Sequence, residues 1–416
     1  MTPEQSMKKL LFVLGLCLMA AMAPRHLAQD AKPGNDDARP VSPNPEAKPP
    51  AEQPKSGPGG AEYGHKKVEM VTGGKGAKKY WLYTPAEPAP KQAPVIMLVH
   101  GFGATDPERT YIGWIEHLVM RGNIVLFPIY QETALEPTDN YAPNCAESFK
   151  LAMEHLEADK SRVQPLKEKF AIVGHSAGGM TTGNLAAQWE ELGLPKPLAA
   201  MPVQPGRAFG YSTANQRDNG MINLADFSKI PRETHLLCVY GDSDQTVGSY
   251  CAMKIFAGAT GVSAENKNLI EVRSCVHGSP KMIATHQTPG ALRNAGQDAF
   301  DWFGYWKLFD ALTDTAFHGK HRDYALGDTE KQRFMGRYSD GCALCQMRVT
   351  LGTAKLDPDS VEYTPAFDRN GKPVAQPKAE APKDPPKPAE RRQERREERK
   401  DRRREDGPSD ESEEEF

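Results

Sequence analysis

The chain has 416 residues, a formal net charge of −3 and 26% charged residues. That length suffices for one large domain with appendages. The near-balanced charge gives no global positive field, so composition points to no nucleic-acid partner.

The N-terminus reads as an export signal. Lys8-Lys9 precede an apolar run from Leu10 to Ala23 that ends in small residues. The run suits the core of a signal peptide and is short for a membrane span. Met7 is an alternative start, and Ala21-Met22-Ala23 and Leu27-Ala28 are alternative cleavage sites. Cys17 follows Leu16, which is too bulky for a lipoprotein signal. The expectation is a signal peptide over 1–28 and an exported protein, periplasmic or secreted, with membrane contact only through the uncleaved signal.

Residues 29–61 are rich in Pro, Ala, Lys, Asp and Glu without apolar periodicity, which predicts a disordered linker. One folded domain is expected over 62–355. It opens with a hairpin, Lys67–Val71 and Lys79–Tyr83, joined by the Gly73-Gly74-Lys75-Gly76 turn. No helix follows those glycines, so they form no phosphate loop. Buried-type strands are then predicted at Val95–Val99, Ile124–Ile129, Phe170–Val173, Leu198–Val203, Leu236–Tyr240 and Leu269–Val272. Helices are expected near Thr110–Arg121, Ala146–Asp159, Met180–Leu192, Ser249–Phe256 and Gln297–Leu312. Unalternated apolar strands separated by helices imply an α/β fold, a mostly parallel central sheet with helices on both faces. Residues 356–416 are expected to be a disordered charged tail. Within it, acidic and basic residues interleave from Glu390 to Asp406, as in a solvated helix laced with ion pairs.

In such sheets, ligands bind beyond the carboxyl ends of the strands. Four strand ends carry chemistry. His100-Gly101-Phe102-Gly103 follows the first parallel strand, and Gly174-His175-Ser176-Ala177-Gly178 follows Phe170–Val173. Gly241-Asp242-Ser243-Asp244-Gln245-Thr246-Val247 follows Leu236–Tyr240, and Arg273-Ser274-Cys275-Val276-His277-Gly278 follows Leu269–Val272. A G-x-S-x-G between a strand and a helix exposes the serine on a tight turn, and the chain order Ser, Asp, His goes with it.

On these four motifs, residues 65–315 or thereabouts resemble an α/β-hydrolase of the dienelactone hydrolase, cutinase and lipase-like group. The resemblance implies the α/β-hydrolase fold and a role for each matching residue. Ser176 would be the nucleophile, His277 the general base and Asp244 the residue orienting it. The backbone N–H groups of Phe102 and Ala177 would hold the oxyanion. Two alternatives stand. Asp242 competes with Asp244, but Gly241, Asp244 and Val247 fit the family's G-x-x-D-x-x-V. His286 competes with His277, which lies nearer the strand end and precedes Gly278. His100 and His175 are expected to support loops by hydrogen bonding.

Phe209, Tyr211 and Met221, in the segment between Pro205 and Pro231, are candidate pocket residues or loop-packing residues. Trp302, Trp306 and Phe309 are expected in the core. Six cysteines follow Cys17, an even number that permits disulfides in an exported chain. Cys251–Cys275 and the local Cys342–Cys345 are the pairings considered, with free buried thiols the alternative. Nothing resembles a metal, nucleotide or flavin site, so no cofactor is expected. The expected activity is a serine hydrolase cleaving carboxylic esters, small-molecule or lipid-like, through an acyl-enzyme. A peptidase of the same fold and a non-catalytic cell-envelope interaction protein are the alternatives.

Overall fold

The computed structural model describes residues 43–293, 296–368 and 370–376. The expected signal peptide and the charged stretch after 376 lie outside the described residues. The chain lays down β1 (Lys67–Gly73), β2 (Lys79–Ala86), β3 (Gln92–Val99), β4 (Ile124–Ile129), β5 (Gln164–His175), β6 (Ala199–Val203), β7 (His235–Gly241), β8 (Lys267–Val272) and β9 (Arg348–Leu351). They form one nine-stranded sheet in the order β1-β2-β4-β3-β5-β6-β7-β8-β9. The centre, from β4 through β3, β5, β6 and β7 to β8, is parallel. The β1–β2 hairpin joins antiparallel through β2 to β4, and β9 closes the other edge antiparallel to β8.

The central strands are apolar on both sides because both faces are covered. Ile96 and Leu98 of β3 belong to one buried cluster, and Val95, Met97 and Val99 to the other. Helices α1 (Ile112–Met120) and α6 (Trp306–His318) cover the first face. Helices α2 (Tyr141–Ala158), α3 (Ala177–Ala187) and α5 (Tyr250–Gly258) cover the second. Fully burying side chains of this size stabilises by roughly 1.5–3 kcal/mol each. Trp302, Trp306 and Phe309 are buried in the first cluster, as expected. A π-helical turn, Phe300–Tyr305, leads into α6, which ends at Gly319 in the left-handed conformation (φ 68°). Short helices α4 (Thr213–Asp218), α7 (Arg322–Ala325) and α8 (Glu330–Arg333) complete the described elements of four or more helical residues.

Two expected boundaries are corrected. Residues 43–61, expected to be linker, are docked on the domain. Gly59 N–H donates to the buried Asp310 carboxylate (2.7 Å), Asn44 N–H to the His277 carbonyl (2.7 Å), and Ser339 N–H to the Lys48 carbonyl (2.9 Å). Residues 356–368, expected to be tail, pack along the end of β7. Tyr363 Oη donates to the Gly241 carbonyl (2.8 Å), Ala366 N–H to the Asp242 carbonyl (2.7 Å), and Phe367 is buried. Proline-rich composition suggests disorder, but proline also limits the unfolded chain's freedom, so a few anchors hold such a segment. Here the anchors are Ala47, Tyr363 and Phe367.

Candidate active site

The end of β5 and the start of α3 meet at Ser176, whose backbone takes φ 60° and ψ −124°. A side chain in that region costs about 1–3 kcal/mol unless its surroundings enforce it. The enforcing contacts are on the main chain. Ser176 N–H donates to the Val203 carbonyl (3.0 Å), and its carbonyl accepts from Met180 N–H (3.0 Å) and Gly206 N–H (3.1 Å). The flanking glycines are required by contact. A Cβ on Gly174 would strike the Gly178 carbonyl and the Thr182 hydroxyl, and one on Gly178 would strike the Val99 and His100 carbonyls.

The imidazole beside Ser176 is His286. Its Nε2 lies 2.9 Å from Ser176 Oγ, and its Nδ1 lies 2.8 Å from Asp244 Oδ2. The carboxylate requires N–H at Nδ1, which leaves Nε2 as the acceptor for the serine proton. Asp244 is fully buried, and its Oδ1 accepts from Thr246 N–H (2.8 Å) and Val247 N–H (3.0 Å). Asp242 does other work. Its Oδ2 accepts from Ser274 N–H (2.9 Å) and its Oδ1 from Ser243 Oγ (2.8 Å), so it ties the end of β7 to the end of β8.

His277, the expected base, is not at the serine; this is the main correction. Its Nε2 pairs with Asp340 Oδ2 at 2.8 Å, and Asn44 Nδ2 donates to the same oxygen (2.8 Å). That contact with His277 pulls the Asp340 carboxyl down to about 2. The reason is local topology. After β8 the chain makes an excursion closed by a bridge between Cys275 and Met282, whose backbones exchange hydrogen bonds (2.6 and 2.9 Å). His277 sits on that excursion and points away; His286 follows it and returns to the site. The Gly278-Ser279-Pro280 turn inside the excursion was the readable signal.

The other loops supply backbone donors. In the β3–α1 loop, Gly101 N–H donates to Tyr111 Oη (3.0 Å) and Gly103 N–H to Gln131 Oε1 (2.9 Å). Phe102 N–H, between them, has no acceptor among the described residues, and neither does Ala177 N–H at the start of α3. Both residues line the same cavity as Ser176 and His286. The arrangement can therefore deliver a nucleophile, take up its proton and receive negative charge on two amides.

Tyr111 was read in the sequence only as part of a helix, yet it connects the loops. Its hydroxyl lies 2.9 Å from His175 Nδ1, and His175 Nε2 lies 2.9 Å from the His286 carbonyl. Burial holds His175 well below the usual histidine range, so the ring is neutral. It therefore donates from Nε2 to the carbonyl and accepts from Tyr111 at Nδ1. His100 is likewise buried, its pKa pushed down to about 4, with Nδ1 donating to the Gly101 carbonyl (2.7 Å) and its ring stacked on Tyr130.

The cavity holds about 270 Å³. Phe209 and Met221 line it, whereas Tyr211 lies outside it with its ring against Tyr363. Phe102 and Phe209 meet edge to face at the mouth, 5.7 Å between centroids. Arg207 also lines the cavity, but its guanidinium is spent on the Ile222, Gly220 and Arg217 carbonyls. A separate donor group, His277, Asp340 and Cys342, has its ligand atoms within 4.8 Å of one another. His277 lies on the excursion, Asp340 and Cys342 on the segment leading to β9, and none of the three lines the cavity. Among the described residues no helix is long and apolar enough to cross a membrane. Compared with known proteins, the sequence matches no family model and no curated protein.

Proposed function

We propose that the protein is an exported α/β-hydrolase that cleaves carboxylic esters through an acyl-enzyme on Ser176. The observation that carries this reading is the line Ser176 Oγ, His286 Nε2, His286 Nδ1, Asp244 Oδ2, with contacts of 2.9 and 2.8 Å, facing two amides without acceptors. The export signal in the sequence and the antiparallel hairpin ahead of a parallel sheet support the localisation and the family.

The chemistry follows from the geometry. An ester carbonyl sits with its oxygen toward Phe102 N–H and Ala177 N–H. Ser176 Oγ attacks the carbon while His286 Nε2 takes its proton. The imidazolium is stabilised by the buried Asp244 carboxylate, and the oxyanion by the two amides. Collapse expels the alcohol, which leaves with the proton returned from His286. Water then repeats the sequence on the acyl-serine and releases the acid. The Phe102 and Phe209 rings and Met221 give the mouth an apolar character that suits an apolar acyl or alcohol group.

The test is labelling of the full chain with a fluorophosphonate, with turnover of short p-nitrophenyl esters measured beside it. The proposal expects a single adduct on Ser176 and loss of turnover in Ser176→Ala. A protein that takes no label and turns over no ester would overturn it.

A further inference from the structure

The cysteines divide between the two faces of the sheet. Cys145, Cys238 and Cys251 belong to the cluster with α2, α3 and α5, and Cys251 Sγ donates to Gln216 Oε1 (3.4 Å). Cys275 and Cys345 belong to the opposite cluster. The pairing Cys251–Cys275 considered from the sequence therefore joins groups in different cores. Cys275 and Cys345, 70 residues apart, bring their sulfurs to 2.7 Å, and Cys345 N–H donates to Cys275 Sγ (3.2 Å). Non-bonded heavy atoms rest at about 3.5–4.0 Å, and a disulfide needs about 2.0 Å. The pair stands close to the bonded geometry, with the two backbones already fixed by bridge and turn contacts. Cys342, the other member of the Cys-x-x-Cys, is exposed.

We infer that Cys275 and Cys345 form a disulfide that staples the excursion after β8 to the segment leading into β9, and that the local Cys342–Cys345 bond does not form. The oxidant is a low-molecular-weight disulfide met during folding, before burial closes over both sulfurs. Cys275 S⁻ attacks one of its sulfurs and releases one small thiolate. Cys345, losing its proton, then attacks Cys275 Sγ and releases the second. The two protein sulfurs give up two electrons, and the small disulfide becomes two thiols. The bond closes a 70-residue separation, and in the chain-entropy account long loops gain most from such closure. It also fixes the near end of the excursion whose far end leads to His286. This inference is independent of the hydrolase reading, since it concerns covalent connectivity alone.

The experiment folds the full chain in a couple of glutathione and glutathione disulfide, blocks thiols at low pH, and digests with trypsin without reduction. Ser274–Lys281 should appear joined to Tyr338–Arg348, about 2 Da below the sum of the reduced first peptide and the second peptide carrying one block on Cys342. Cys342→Ser should keep the linked species and Cys345→Ser should lose it. Reduction should lower the thermal midpoint of the wild type by several degrees and leave that of Cys345→Ser unmoved. Amide exchange over 282–290 should quicken on reduction. A blocked thiol on Cys275, or a bond between Cys342 and Cys345 in the wild-type digest, would overturn the inference, and the wild-type map stands even if a variant fails to fold.

Discussion

Two histidine–aspartate pairs lie at the same separation and have different surroundings. His286–Asp244 and His277–Asp340 are each 2.8 Å apart. Two further pairs share that distance: His117–Asp310, buried beneath Tyr63 and Arg121, and His321–Asp314, partly exposed. The contact alone therefore says little about chemistry. What separates them is the group on the second nitrogen and the access to it. His286 meets a serine hydroxyl in an open cavity; His117 meets the Tyr63 hydroxyl (3.0 Å) in a packed interface. His277 and Asp340 join the excursion, the docked N-terminal segment and the approach to β9. One pair reaches a serine hydroxyl at an open cavity, and the others hold segments together.

The comparison breaks most directly by substitution at the serine and its base. Ser176→Ala and His286→Ala should each lower kcat for p-nitrophenyl esters by about four to six orders of magnitude, with the far-ultraviolet circular dichroism unchanged. If His277→Ala shows that loss and His286→Ala does not, the placement of the base is wrong. Asp244→Asn should cost about 10⁴-fold in kcat, because an amide presents no carboxylate to fix the His286 tautomer. Asp242→Asn should act mainly on the thermal midpoint, since it loosens β7 from β8.

A smaller effect distinguishes buried neutral histidines from paired ones. Burial lowers the His100 pKa from 6.5 to about 4, and His175 is lowered as well. Between those values the unfolded chain binds the proton and the folded chain does not. Stability is therefore full above pH ~6.5 and falls as pH drops toward ~4, on the order of 3 kcal/mol for His100. Urea midpoints across that range check the sign, and a rise in stability toward acid would contradict it. The smallest effect concerns the outlying pair. His277→Ala should leave kcat within about threefold and lower the thermal midpoint by a few degrees, because it removes a partner of Asp340 near the surface.

The sheet, the serine turn and the position of Asp244 were legible because each rests on local rules. Apolar strands between helices need both faces covered, and the glycines around Ser176 are dictated by backbone contact. Which imidazole meets Ser176 was not a local matter. It depends on how far the chain wanders after β8, which the Cys275–Met282 bridge decides. Distance along the chain from a strand end is a poor guide when a hairpin-like excursion intervenes. Strand β9 was missed because it is four residues long at a sheet edge, with no fully buried position to give a pattern. The ends of the domain were missed for the opposite reason: composition averages over the few residues, such as Ala47 and Tyr363, that do the anchoring.

The Tyr111 phenol has a mechanical consequence. It touches the Gly101 amide on one side and, through a single imidazole, the backbone of residue 286 on the other. Two halves of the chemistry that come from distant stretches of polymer are thereby clamped to one ring. A guest that spreads the amide cradle strains the imidazole mount at the same moment. On the proposed hydrolase reading, misfit acyl groups would then be penalised in turnover as well as in residence, with selection resting on the stiffness of this frame.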